Sequence, residues 1–353
     1  MATAYKNKKS INKNLNPFVI ILFLILLVYS LSLVFVLGWG LLTSLKSKAD
    51  FEGNQSATGG NILGLPNLDN WYTFVVDKDG FVVKQKVSMF TNYISVWKYF
   101  MVDGDGNSNF FTGGTIAANK FYFVGLYLQN EVNTPGTASF FELLLTTVLY
   151  TVGGALIIAL VPALVGYLCA KYPYKFSSLC YSITIFVMIL PIVSSTPARI
   201  TLLKRLNLFD SIIGDWMVNM TFTNMYFLVF YGFFQGMSGT YAEAAEVDGA
   251  SQFRTLVTII MPLAVKMMTT VILIYFIARW NDYNTPLMYL PGHPTIALAI
   301  YNLANKTNIQ GAAFSSIPAR VAAAMFIAIP MIILFICVKD RLLGNISMGG
   351  IKE

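Results

Sequence analysis

Long charge-free apolar runs alternate with short charged junctions along most of this chain. No Asp, Glu, Lys or Arg lies between Lys13 and Lys46, Glu142 and Lys171, Lys175 and Arg199, or Asp215 and Glu243. Each run supplies the ~20 residues needed to cross a hydrocarbon core about 30 Å thick. Two further runs, 260–280 and 320–339, carry charge only towards their ends: Lys266 and Arg279 in the first, Arg320 and Lys339 bounding the second. Charged side chains near helix ends snorkel to the interface, so these runs qualify too. The pattern predicts six transmembrane helices in an all-α integral membrane protein. The first apolar stretch, 18–42, exceeds the roughly 7–15 residues of a signal-peptide core and lacks a small-residue cleavage site, so it reads as a retained anchor.

Orientation follows from the flanks. Residues 1–16 form a basic tail with Lys6, Lys8, Lys9 and Lys13, which places the N-terminus in the cytoplasm. Helix one then covers 17–45, residues 46–139 lie outside, 140–339 form the transmembrane core, and the tail 340–353 returns to the cytoplasm. The junction 171–175 and the strip 243–262 fall on the cytoplasmic side, and 200–215 and 281–317 on the outer side. Lys204 and Arg205 run mildly against the positive-inside rule. Within 46–139, two β-rich runs flank Asp79-Gly80, a hairpin turn signal, and 119–129 reads as another strand. The outer segment is therefore expected to be a small extracytoplasmic β-containing insert between helices one and two. Its run Asp103, Asp105, Asn107, Asn109 has the alternating oxygens of a calcium loop. Ser108 and Gly114 stand where that loop needs Gly and Glu, so a polar turn is the better reading.

Composition narrows the function. Only 12% of residues are charged against 56% hydrophobic, where a soluble domain has about a quarter charged. The net charge of +7 sits at helix flanks, which suits membrane orientation better than nucleic acid. One histidine, His293, and three scattered cysteines, Cys169, Cys180 and Cys337, offer no metal site or disulfide framework. No phosphate loop or nucleophile elbow occurs, so no catalytic residue, metal or cofactor is expected. The centres of the runs lack Asp, Glu, Lys and Arg, which disfavours ion-coupled transport. What they offer is hydroxyls and amides, and Ser194, Ser195, Thr196 and Asn281 are the candidate pathway residues. Helix packing is the commoner role for any one of them.

One strip departs from the apolar pattern. Residues 243–262 read Glu243-Ala244-Ala245, three residues including Asp248, Gly249, nine residues, then Ile259-Ile260-Met261-Pro262. This resembles the EAA loop of binding-protein-dependent ABC importer permeases, EAA-x3-G-x9-I-x-L-P, with Met261 in place of Leu. Segments 90–97, 190–211, 280–290 ("WNDYNTPLMYL") and the tail "NISMGGIKE" are also similar to carbohydrate permeases of the maltose type. The resemblance covers about 140–353 and parts of 17–45, and leaves most of the outer insert unassigned.

The resemblance implies a bacterial cytoplasmic-membrane subunit, multi-pass with both termini inside, that works with a second homologous permease. It further implies two ATPase subunits that bind the ATP, an extracytoplasmic solute-binding protein, and a carbohydrate substrate. In that setting Glu243, Ala244, Ala245, Asp248, Gly249 and Pro262 form a short coupling helix in an ATPase cleft, and Gly349, Gly350 and Lys352 reach the ATPase as well. Gly249 is expected to have positive φ or a close backbone approach, and Pro262 to open a new helix. Two other readings stay open: an importer of another neutral or cationic solute, and a membrane sensor or adaptor built on 46–139.

Overall fold

The computed structural model describes residues 17–53, 60–67, 72–76, 82–86, 88–101, 116–118, 136–138, 140–172, 174–190, 195–305 and 316–346. In chain order these form α1 (Pro17–Ser44), α2 (Lys48–Glu52), β1 (Tyr72–Val76), β2 (Val82–Lys86), α3 (Thr91–Met101), β3 (Ile116–Ala118) and β4 (Gly136–Ala138). There follow α4 (Phe140–Val148), α5 (Gly154–Lys171), α6 (Lys175–Ile189), α7 (Thr196–Arg205), α8 (Ile212–Asn219) and α9 (Met225–Gln235). The series ends with α10 (Thr240–Val247), α11 (Gln252–Thr255), α12 (Met261–Trp280), α13 (Asn284–Tyr289), α14 (Ile296–Asn305) and α15 (Ile317–Ile346). Wider π-helical turns, Leu149–Gly153 and Leu256–Ile260, join α4 to α5 and α11 to α12.

Among the described residues four helical spans are long and apolar enough to cross a membrane: Pro17–Ser44, Phe140–Lys171, Gln252–Trp280 and Ile317–Cys337. Two of the predicted crossings take another form. The run from Lys175 gives only the 15-residue α6, which ends at Ile189 with Leu190 in an extended conformation. The run from Asp215 is broken into α8 and α9 by residues 220–224. The cause is local. The Thr221 and Thr223 hydroxyls bond each other at 2.9 Å, and Asn224 Oδ1 accepts from the Phe227 N–H at 3.2 Å to cap α9. Such side chains offer the backbone an alternative to continuing a helix.

Two compact units divide the chain: residues 1–93 with 315–325, and 94–314 with 326–353. In the first, α1 is apolar all round and exposed over most of its length, the surface of a helix made for lipid. Its C-terminal end is tied down by polar contacts. Asn92 Nδ2 donates to the carbonyls of Ser44 and Lys46, both at 2.8 Å, and Lys46 Nζ donates to the carbonyls of Asn61 (2.6 Å) and Ile62 (3.0 Å). Burial lowers the Lys46 pKa from its ordinary value, with Asp50 opposing. Strands β1 and β2 pair antiparallel from Tyr72↔Lys86 to Val76↔Val82. The turn at Asp79-Gly80, the calcium-like run at 103–114 and the expected strand 119–129 fall outside the described residues.

The second unit is built around α5. Ala155, Ala159, Ala163 and Gly166 make one small-residue stripe, buried throughout. Small residues let backbones approach where lipid supplies no hydrophobic drive between helices. A Cβ at Gly166 would stand 3.1 Å from the Tyr231 backbone nitrogen on α9. The core there joins Ala159, Ala163 and Tyr167 to Phe230, Phe234, Ile260, Ala264 and Val271, so α5 holds α9 and α12 together. The short α14 is buried from Ile296 to Ile300, and the Thr147 hydroxyl accepts its first free N–H, that of Ile296, at 2.9 Å. Strands β3 and β4, also in this unit, pair antiparallel through Ile116↔Ala138 and Ala118↔Gly136.

Candidate functional site

Two polar assemblies occupy opposite ends of α12. At its N-terminal end lies the EAA-like strip. Helix α10 carries Glu243 in its first turn, where the helix dipole favours a carboxylate. Ala245 turns inward at 4% exposure, while Glu243, Ala244, Glu246 and Asp248 face out. The helix then stops in two bonds: Gly249 N–H to the Glu246 carbonyl and Ala250 N–H to the Ala245 carbonyl, both 2.9 Å. That pairing is a Schellman motif and requires a left-handed residue between its halves. Gly249 supplies it at φ +74°, with nothing within 4 Å of where a Cβ would stand. Positive φ, not close approach, is therefore the constraint at this position.

The chain restarts at once. Ser251 caps α11 by accepting from the Arg254 N–H at 3.3 Å. Pro262 departs from expectation. It does not open a new helix but lies in the first turn beyond the π-turn, within continuous helical backbone from Gln252 to Trp280. Proline lacks an N–H and its ring crowds the carbonyl four residues back, so the widened turn 256–260 is where the helix accommodates it. The strip presents Val247 at 87% and Phe253 at 75% exposure among its charges, an apolar pair on a polar surface. One side-chain bond links it to the end of α5, and a second links α5 to the turn before α10. Tyr172 Oη bonds Gln252 Oε1, and Lys171 Nζ donates to the Met237 carbonyl.

At the other end, about 27 Å away along α12 at 1.5 Å per residue, lies a buried network that the sequence reading did not assemble. Arg279 is 7% exposed and Asp215 3%. The Arg279 Nη2 donates to Asp215 Oδ2, its Nε donates to the Tyr150 carbonyl at 3.0 Å, and its Cζ lies 3.9 Å from the Tyr150 ring centroid. Tyr150 Oη donates to Asp282 Oδ2 at 2.7 Å, and Asp282 Oδ1 accepts from the Asn284 and Thr285 N–H groups. Asn219 Nδ2 reaches Asp215 Oδ1 at 3.1 Å. Gly154 makes the arrangement possible, since a Cβ there would stand 2.2 Å from Arg279 Nε. The pair thus ties α8, the π-turn before α5, and α12 into one hydrogen-bonded cluster. Such a pair is costly to break because one partner removed leaves a buried charge.

A cavity of about 170 Å³ opens beside this pair, with Thr196, Arg199, Asn219, Asn284 and Thr285 among its lining residues. Among the described residues predicted for the pathway, Thr196 alone lines it. Ser195 sits at the start of α7. Asn281 is exposed and bonds back to the Ile277 carbonyl of its own helix. Ser194 and the tail residues Gly349, Gly350 and Lys352 fall outside the described residues. The sequence held one signal for the missed cluster: Asp215 and Arg279, opposite charges, bound or end two apolar runs on the same expected side.

Comparisons with known proteins identify the family and the fold. The family model described as "Binding-protein-dependent transport system inner membrane component" matches residues 163–347, just over half of the chain. The chain is 24% identical over 299 residues to a probable starch degradation products transport system permease protein of Thermoanaerobacterium thermosulfurigenes, covering 83% of this chain and 95% of that protein. It is 23% identical over 214 residues to the melibiose/raffinose/stachyose import permease protein of Bacillus subtilis (strain 168), covering 59% of this chain and 75% of that one. In fold it resembles a bacterial ABC transporter involved in the import of the acidic polysaccharide alginate, with a TM-score of 0.60 at 18% identity over 96% of this chain and 99% of the other. The chain belongs to the inner-membrane components of binding-protein-dependent transport systems.

Proposed function

We propose that this chain is the permease subunit of an ATP-driven carbohydrate importer and forms half of its translocation pathway. The observation that carries the reading is the strip around Gly249: an exposed acidic helix with an apolar pair beside it, locked by a Schellman turn between α9 and α12. Such a strip docks a soluble partner and passes its motion to two membrane helices as a rigid body. The ATPase subunits supply ATP hydrolysis, and a second permease and a solute-binding protein complete the assembly. Curated relatives named for starch products and for melibiose, raffinose and stachyose favour a sugar over another solute.

In this reading the strip end of α12 faces the cytoplasm and the Arg279 end faces out. Helices α6 and α9, with 15 and 11 residues, span roughly 22 and 16 Å at 1.5 Å per residue. With their flanking segments they complete six crossings. The insert 46–139 lies outside and helps dock the binding protein, and Gly349, Gly350 and Lys352 reach the ATPase. The test is reconstitution of the four components in proteoliposomes, with uptake measured over a glycan panel. Binding-protein-dependent glycan uptake that needs ATP is the expected result. Uptake of a non-carbohydrate solute alone, or assembly without any ATPase subunit, would overturn the reading.

A further inference from the structure

The cavity beside the Arg279–Asp215 pair has an uneven charge chemistry. Every carboxylate described around it is already engaged. Asp210 accepts from the Gly292 N–H at 2.8 Å and meets His293 Nδ1 at 3.3 Å; Asp215 is held by Arg279 and Asn219, and Asp282 by Tyr150 Oη and two backbone N–H groups. The cations of α7 are not matched in this way. Among the described residues no carboxylate lies within ion-pair distance of Arg199, Lys204 or Arg205. Lys204 Nζ lies 5.0 Å from the Phe209 ring centroid, whereas Arg199 is exposed and lines the cavity.

Neutral polar groups and the apolar Val218, Met288 and Tyr289 make up the rest of the lining. Thr196, Asn284 and Thr285 bring hydroxyl and amide groups to the cavity, and Asn219 stands beside the ion pair. Arg279 adds little net charge, because Asp215 compensates it. Among the lining residues, the uncompensated positive charge is that of Arg199. A guanidinium offers a planar fork that matches a carboxylate bidentately, and charge-assisted bonds of this kind are about twice as strong as neutral ones. The volume of about 170 Å³ falls below the ~300–1,000 Å³ of pockets for drug-sized ligands, so one sugar unit fits rather than a chain.

We propose that this cavity is a subsite for an acidic sugar unit, with its carboxylate on Arg199 and its ring hydroxyls on Thr196, Asn284 and Thr285, beside the Asp215–Arg279 pair. The proposal rests on the carbohydrate-import reading and narrows it to substrates bearing uronic acids. It also places the sugar against Arg279 in the last turn of α12, the helix whose other end carries the coupling strip.

The experiment uses the complete importer in proteoliposomes with two matched probes, an oligogalacturonide and the corresponding neutral oligogalactoside. Arg199→Gln lowers the acidic-to-neutral ratio of kcat/KM about tenfold, and Arg199→Lys recovers part of it. Lys204→Gln, on the same helix but outside the cavity lining, keeps the wild-type ratio. An unchanged ratio in Arg199→Gln, or an equal fall in Lys204→Gln, overturns the subsite. A wild-type importer that takes only the neutral probe overturns the subsite and leaves carbohydrate import standing. One that takes no carbohydrate at all overturns both.

Discussion

Gly249 offers a test in which backbone strain and steric clash separate cleanly. Its φ is +74° and a Cβ would meet nothing within 4 Å. The cost of a side chain there is therefore the cost of the left-handed conformation alone, roughly 1–2 kcal/mol for an ordinary L-residue. Asparagine visits that region readily and can close a Schellman turn, as Asn207 does at φ 54° after α7. Gly249→Asn is thus expected to be close to wild type, Gly249→Ala to lose about 1 kcal/mol, and the β-branched Gly249→Val about 2 kcal/mol or more. One to two kcal/mol reduces the population of the turned strip by a factor of about 5–30. The assay is titration of the purified ATPase subunit onto the detergent-solubilised permease, with stimulated hydrolysis followed in parallel. Apparent affinity should fall in the order Asn, Ala, Val, while insertion and yield stay level. If Asn is as damaging as Val, the space around residue 249 is occupied in the assembly and the strain argument fails. If all three bind like wild type, the strip is not a docking element.

Four further outcomes are expected. Gly154→Ala pushes a Cβ to 2.2 Å from Arg279 Nε and should dislodge the guanidinium, costing about 3–5 kcal/mol as a buried pair is broken; thermal unfolding in detergent reads this, and Gly232→Ala, with nothing within 4 Å of its Cβ, serves as the neutral control. In a cysteine-free background, Asn305→Cys should label from outside intact cells and Ser251→Cys only after permeabilisation; the reverse pattern inverts the topology. Replacing residues 54–88 by a short Gly/Ser linker should weaken uptake at limiting solute and leave assembly unchanged; equal uptake at every concentration removes the docking role of the insert. Deleting 346–353 should change the ATPase rate more than membrane insertion, and normal hydrolysis by the truncated protein reduces the tail to a chain end.

Much of this protein was legible before any coordinates, because membrane burial is a one-dimensional property. A run without charge over 25 or more residues, such as that between Lys13 and Lys46, has few fates other than lipid, and α1 follows it. The EAA spacing was equally legible, since a helix stop and restart is written in adjacent residues: Glu243 in the first turn, Gly249 at the reversal, Ser251 at the next cap. Local hydrogen-bonding chemistry explains where the reading fell short. Thr221, Thr223 and Asn224 are apolar enough in company to pass as part of a span, yet their side chains satisfy the backbone and end it.

What the sequence could not show is which distant residues meet. Asp215 and Arg279 are 64 positions apart, and Tyr150 is 129 from Arg279. Asp215 and Arg279 read on their own as charges at the ends of apolar runs. Only the packing of α5 against α9 and α12, set by the stripe of small residues on α5, brings them to one place. There Gly154 leaves room for the guanidinium, and the cavity opens against it. Lipid solubility and turn chemistry act between neighbours in the chain, so composition and spacing record them. A buried ion pair depends on the shape of three helices at once, and that is fixed only when the chain has folded.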